Sequence, residues 1–269
     1  MWLRYWGLAS DPFAGPYSPY VPLPSHDEAL ARLNDSFDRC LPLVAFVAGA
    51  GLGKTTVVRR AIAAARHPRR RFAAIHLPTD RGQLLGGLAD ALGLPSAVGS
   101  GGPAAWRSVA RAVRAAALEG SQVVFVVDGW DENPDAAALQ DLTALLDAGR
   151  QSGVCTSLVR VGRREPRASP EQGDSWRLAI RLERLTRSQA ETYVEAKLAA
   201  AGSRERVFTP RALTRLHAWS EGVPRGLDRL AAIALMAGAV QGLEAVSPDL
   251  VDAAGLQSVV GVNLDPIAR

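Results

Sequence analysis

Five consecutive apolar residues, Val123 to Val127, constrain this chain more than any other feature. A run that does not alternate and is too short for a helix reads as a strand buried on both faces. Shorter runs of the same kind, Leu43–Val47, Phe72–Leu77, Thr156–Val161 and Ala179–Leu182, alternate with helical patterns at Thr55–Arg66, Arg81–Leu92, Ala104–Leu118 and Ala136–Gln151. Parallel neighbours need crossover connections that pack back on the sheet, so this alternation implies an α/β parallel sheet with helices on both faces. After Leu185 only helical patterns remain, at Ser188–Ala201, Thr209–Trp219, Gly226–Ala239 and Pro248–Ala254. The expected organisation is therefore an extended, proline-bearing strap over 1–25, an αβα domain over 26–184, a small all-helical domain over 185–258 and a tail over 259–269. Ser25 followed by Glu28 resembles a capping box opening the first helix near residue 26.

Composition narrows the setting. The chain has 269 residues, 48% hydrophobic and 22% charged, enough to bury a core and too apolar for a disordered segment. Thirty-one Lys and Arg against 27 Asp and Glu leave +4, weak evidence for a nucleic-acid partner. The longest apolar stretch, Leu230–Val240, has 11 residues, well short of the ~20 that span a bilayer. Asp11-Pro12 interrupts the apolar opening Met1–Trp6 before a signal-peptide core forms, so a cytoplasmic protein is expected. Cys40 and Cys155 lie far apart without metal-ligand spacing and are expected to be two buried thiols.

The chemistry is concentrated between the first strand and its helix. Ala48-Gly49-Ala50-Gly51-Leu52-Gly53-Lys54-Thr55 fits the phosphate-loop pattern GxxxxGK[ST], with Ala48 replacing the first glycine. Phosphates need backbone N–H groups turned inward at a helix N-terminus, and glycines permit the required angles. Gly49, Ala50, Gly51, Leu52, Gly53, Lys54, Thr55 and Thr56 are the candidate ATP-binding residues. Lys54 would neutralise the β and γ phosphates, and Thr55 would hold Mg²⁺. Asp128, closing the buried Val123–Val127 run 74 residues after Lys54, is the candidate acidic partner for that ion. The glutamate that many ATPases place next, to polarise the attacking water, is Gly129 here. Asp131 and Glu132 are candidates to return a carboxylate to that position if the chain turns at Gly129.

These residues, with Tyr5-Trp6-Gly7-Leu8, Asp11-Pro12-Phe13, Ser25–Leu30, Phe208–Ala212 and Gly222-Val223-Pro224-Arg225, resemble an AAA+ ATPase of the general secretion pathway protein A, or ExeA-like, type. The resemblance covers roughly residues 5 to 257. It implies a P-loop NTPase with a three-layer αβα sheet and a helical lid, using ATP and Mg²⁺ and assembling as a homo-oligomer. It also implies that Arg225 is the lid arginine that senses the γ-phosphate and that Arg163 stands at the sensor position after the fourth strand, where relatives carry a neutral amide. The segment Asp128-Gly129-Trp130-Asp131-Glu132 is instead similar to the Walker B of NACHT ATPases, which often act as switches. Longer secretion members carry a membrane span and a cell-wall-binding domain, and neither is expected within these 269 residues.

Two functions stay open at this stage. One is an Mg²⁺-ATPase that assembles or remodels a protein partner of a secretion or pilus-type machinery. The other is a slow or non-hydrolysing nucleotide-gated switch, DNA-associated as in transposition ATPases. The basic run Arg66–Arg71 is compatible with DNA but reads more simply as a solvated loop between helix and strand, since no aromatics interleave it. Arg163, Arg164, Arg167 and Arg177 are candidates for a finger reaching a neighbouring subunit, Arg177 foremost. His26, His67, His76 and His217 show no ligand spacing and carry no assignment.

Overall fold

The protein is described by a computed structural model covering residues 1–15, 20–76, 80–94, 102–129, 136–164, 178–203 and 205–262. Five strands, β1 (Leu43–Val47), β2 (Arg70–His76), β3 (Gln122–Asp128), β4 (Thr156–Gly162) and β5 (Leu178–Arg181), form one sheet in the order β2-β3-β4-β1-β5. All four pairings are parallel. Strand β3, flanked by β2 and β4, is buried at every residue, as its unbroken apolar run requires.

Helices cover both faces. On one side α4 (Arg81–Ala91), α5 (Pro103–Leu118) and α6 (Ala136–Gln151) pack Leu85, Val109 and Leu142 against Val123, Phe125 and Val127. On the other, α2 (Pro24–Asp38) sets Phe37 edge-on to Phe72 of β2, with ring centroids 5.3 Å apart. Arg70 and Gln122 fasten this side. Arg70 Nε donates to Gln122 Oε1 at 2.6 Å, and Gln122 Nε2 donates to the Phe37 carbonyl at 2.8 Å. The basic run is thus partly structural, because its last two arginines begin β2 and are bound, Arg70 to Asp38 and Arg71 to Glu119.

The chain divides into two compact units. An α/β unit comprises Ser25–Ala50 and Lys54–Leu182, and a helical unit comprises Met1–Pro24, Gly51–Gly53 and Glu183–Arg269. The helical unit contains α1 (Trp2–Tyr5), α7 (Arg187–Ala200), α8 (Pro210–Ser220), α9 (Pro224–Gln241) and α10 (Pro248–Val262), while α3 (Lys54–Ala64) completes the α/β unit. The N-terminal segment belongs to the helical unit's core, where Trp6, Leu8, Phe13, Val21 and Leu23 are buried with Leu216, Leu227 and Leu235. Trp6 Nε1 donates to the Leu235 carbonyl at 2.8 Å.

Three local expectations differ from the structure. The strap opens with one helical turn, α1, rather than an extended segment. The helix expected from a Ser25–Glu28 capping box begins at Pro24 instead, which puts Ser25 inside the helix, where its hydroxyl meets His26 Nδ1 at 3.3 Å. The two cysteines form a disulfide, with Cα atoms 5.7 Å apart across 115 residues, rather than two thiols. Cys40 lies just before β1 and Cys155 just before β4, and these strands are hydrogen-bonded neighbours with Leu43 opposite Leu158. Sheet order juxtaposes the cysteines, which their separation in sequence does not reveal.

Candidate nucleotide site

The glycine loop leaves the C-terminal end of β1, where β1 is flanked by β4 and β5. Ligands of open parallel sheets bind outside the carboxyl ends of strands where the connection order reverses, and β1 holds that place here. The loop's dihedral angles explain its composition. Gly51 and Gly53 have φ of +78° and +94°, a region L side chains rarely adopt. Ala48 is not among the positive-φ residues, and its amide donates to the Gly162 carbonyl at 3.1 Å. The first glycine of the pattern is therefore dispensable, since Ala48 simply extends the β1–β4 ladder.

Lys54 begins α3, and its ammonium donates to the Ala48 and Gly49 carbonyls at 2.7 and 3.0 Å. Thr55 Oγ1 donates to Asp128 Oδ2 at 2.7 Å. Register brings them together: Asp128 lies opposite Val161, and Val161 lies opposite Phe46 near the end of β1. Asp128 is 7% exposed, in keeping with the end of a fully buried strand. Thr56 follows on the exposed side of α3, and Leu52 is buried.

One participant carries no assignment from sequence. His76 ends β2 directly opposite Asp128, and its Nδ1 stands 3.2 Å from Asp128 Oδ2 with the ring 58% exposed. A histidine without ligand spacing gives no signal in the sequence. Its place at the end of the neighbouring strand would give one once the strand order is known.

Arg163 and Arg164 are exposed and follow β4 directly, beside the Gly162 carbonyl that receives the Ala48 amide. Within the helical unit, exposed Arg225 stands in the first turn of α9, and its backbone amide donates to the Gly51 carbonyl at 3.2 Å. Gly129 has φ +88°, and its amide donates to the Val161 carbonyl at 3.0 Å. Asp131, Glu132, Arg167 and Arg177 lie outside the described residues.

The donor set suits a hard divalent cation, because a hydroxyl and a buried carboxylate 2.7 Å apart offer oxygen ligands beside a loop shaped for phosphate. Residues 42–167 match the model of the AAA domain family. Over this stretch the chain is similar to AAA domains. The chain is 27% identical over 252 residues to general secretion pathway protein A of Aeromonas hydrophila, covering 90% of this chain and 46% of that protein, so it spans about half that relative's length. In fold it is similar to Cdc6p of Pyrobaculum aerophilum, with a TM-score of 0.74 and 19% identity over 92% of this chain and 70% of that one. The ORC2 protein of Aeropyrum pernix gives a TM-score of 0.70 at 20% identity over 98% and 74%. The RuvB branch migration motor of Thermotoga maritima gives 0.59 at 15% identity over 89% and 70%.

Proposed function

We propose that this chain is an AAA+ ATPase that binds Mg-ATP and hydrolyses it, coupling the cycle to assembly or remodelling of a partner complex of the secretion or pilus kind. The 2.7 Å contact between Thr55 Oγ1 and Asp128 Oδ2 at the end of the glycine loop carries this reading. Magnesium, when bound, neutralises charge on the phosphoryl oxygens. Thr55 and Asp128 would hold it. Residues 49–56 would present loop amides, and the Lys54 ammonium would move from loop carbonyls to the β and γ phosphates. Arg163 after β4 and Arg225 on α9 would follow the state of the γ-phosphate, and Asp131 or Glu132 would orient the attacking water in place of the glutamate replaced by Gly129.

A slow switch is the second reading, and Gly129 favours it, since a residue without a side chain stands where relatives place the base. Turnover by the purified full chain separates the two. Hydrolysis that falls on the order of 10²-fold in Asp131→Asn with Glu132→Gln supports the enzyme and its relocated base. Hydrolysis unaffected by that double change overturns the relocated base, and hydrolysis indistinguishable from the Lys54→Ala background supports the switch. Assembly as a homo-oligomer, with Arg177 serving a neighbouring subunit, predicts a mass increase with a non-hydrolysable ATP analogue in light scattering. A cytoplasmic seat would suit ATP chemistry. Thiol labelling of cell extracts tests it, because an intact Cys40–Cys155 bond there would indicate an oxidising compartment.

A further inference from the structure

Helix α5 carries positive charge that no ion pair among the described residues balances. Its exposed face presents Arg107, Arg111 and Arg114, and residues 103–118 include no Asp or Glu. Among the described residues no carboxylate forms an ion pair with any of the three, and their one hydrogen bond runs from Arg111 Nη2 to Ser108 Oγ at 3.4 Å. Several arginines elsewhere in the chain are paired. Arg32 faces Glu28, Arg39 faces Asp35, Arg150 faces Asp147, Arg187 faces Glu191 and Arg215 faces Asp252.

The i, i+4, i+7 spacing sets the three arginines in a row on one helix face, with anchors about 6 and 4.5 Å apart at a rise of about 1.5 Å per residue. Like charges at these spacings destabilise a helix, so the row is a cost that an external anion would remove. A groove of about 430 Å³ follows it, lined by Trp106, Arg107, Ser108, Arg111 and Arg114 together with two alanines. Half-buried Trp106 adds an aromatic surface to the same groove.

We propose that this face of α5 binds the phosphate backbone of a nucleic-acid strand. Guanidinium forks match phosphate oxygens in bidentate geometry, which an ammonium does not. A row of cations fits a polymer of regularly spaced anions, and an aromatic beside the row matches the stacking surface that single-strand binders use. The site goes beyond the nucleotide reading, since α5 packs on the sheet face with α4 and α6 and supplies no residue to the glycine loop. An acidic protein segment is the competing class and is decided by the same experiment.

The test is fluorescence anisotropy of the full chain with a labelled single strand and the matching duplex across a salt series. Arg107→Ala, Arg111→Ala and Arg114→Ala combined should weaken binding at least about tenfold and lower the slope of log K against log salt by about 2, at roughly 0.7–0.9 per phosphate contact. Arg111→Ala alone, the mildest change, should lower that slope by about 0.7–0.9, which keeps the test valid should the triple variant fold poorly. Lys54→Ala should bind the oligonucleotide like the wild type. The proposal is overturned by wild-type protein that binds neither oligonucleotide, by unchanged affinity and slope in the variants, by loss of binding in Lys54→Ala, or by poly-glutamate displacing the oligonucleotide at equal charge.

Discussion

The two units each bury an aspartate at the edge of a core, and the two carboxylates are treated in opposite ways. Asp228 on α9 receives the Lys197 ammonium at 2.9 Å on both oxygens and the Tyr193 hydroxyl at 3.0 and 3.1 Å. Lys197 is 3% exposed and also lies over the Phe13 and Tyr193 rings, so charge, hydrogen bonds and aromatic faces are all supplied from within. Burial still raises the Asp228 carboxyl above its ordinary value, with Lys197 pulling it back. Asp128 is more deeply placed, with its side chain 9% exposed against 18% for Asp228, yet its partners among the described residues are a neutral hydroxyl and an imidazole. A carboxylate that serves structure brings its counter-charge with it, whereas one that held a cation, the role proposed for Asp128, would leave the counter-charge to be bound.

Breaking the balanced site should have the largest effect. Lys197→Ala leaves Asp228 buried without its cation and should cost about 3–5 kcal/mol of stability at neutral pH, read by denaturant unfolding. The loss should shrink in acid, where the raised carboxyl takes a proton and no longer needs the lysine. An equal loss at both pH values would show that lost packing, not charge, dominates.

The same logic predicts the reverse at the other aspartate. Asp128→Asn should change stability little or raise it, since the amide removes an unbalanced buried charge. Nucleotide binding in EDTA should survive while the gain from magnesium disappears in calorimetry. In contrast, Lys54→Ala should weaken ATP binding about 10- to 100-fold in any buffer, the scale of one or two charge-assisted hydrogen bonds. Magnesium strengthening binding equally in wild type and Asp128→Asn would assign the ion to another carboxylate.

Most of the candidate phosphate site is local in sequence, which is why it is legible there. The loop Ala48–Thr55 and the all-apolar run ending at Asp128 are contiguous strings whose chemistry follows from residue type and order. Strand alternation likewise implies the parallel sheet. The parts that stay hidden all depend on which strands are neighbours. His76 meets Asp128 because β2 pairs with β3, and Cys40 meets Cys155 because β1 pairs with β4. The helical unit hides its charges for a related reason. Tyr193 and Lys197 on α7 and Asp228 on α9 are polar residues at helical spacing, and only the packing of those helices makes them a buried cluster.

Gly129 offers a finer test of how a ligand-serving strand end is built. Its φ of +88° is accessible to glycine and strained for any L side chain, so Gly129→Glu should cost about 1–2 kcal/mol. Placing there the glutamate that many ATPases use would therefore require the backbone to turn. Turnover raised without loss of stability would show that the turn is easily remade, and a melting temperature lowered together with unchanged turnover would show that the strand end is fixed in its present course.

The smallest expected effect lies at Tyr193, and its sign distinguishes a hydrogen-bonded partner from a bystander. Burial first, and then the Asp228 charge and hydrogen bond, push the Tyr193 hydroxyl far above its ordinary value of 10.0. Above about pH 10 the unfolded chain loses this proton while the folded chain keeps it, so the folded state binds more protons and stability falls as pH rises. Below pH 10 both states hold the proton and the term is flat. Tyr193→Phe deletes the titration, so its melting temperature should decline less steeply than the wild type's above pH 10, although it starts lower by about 0.5–1.5 kcal/mol of lost hydrogen bonding. Parallel alkaline slopes in the two proteins would show that Tyr193 ionises in the folded state and that the Asp228 cluster is wetter than its 18% side-chain exposure implies.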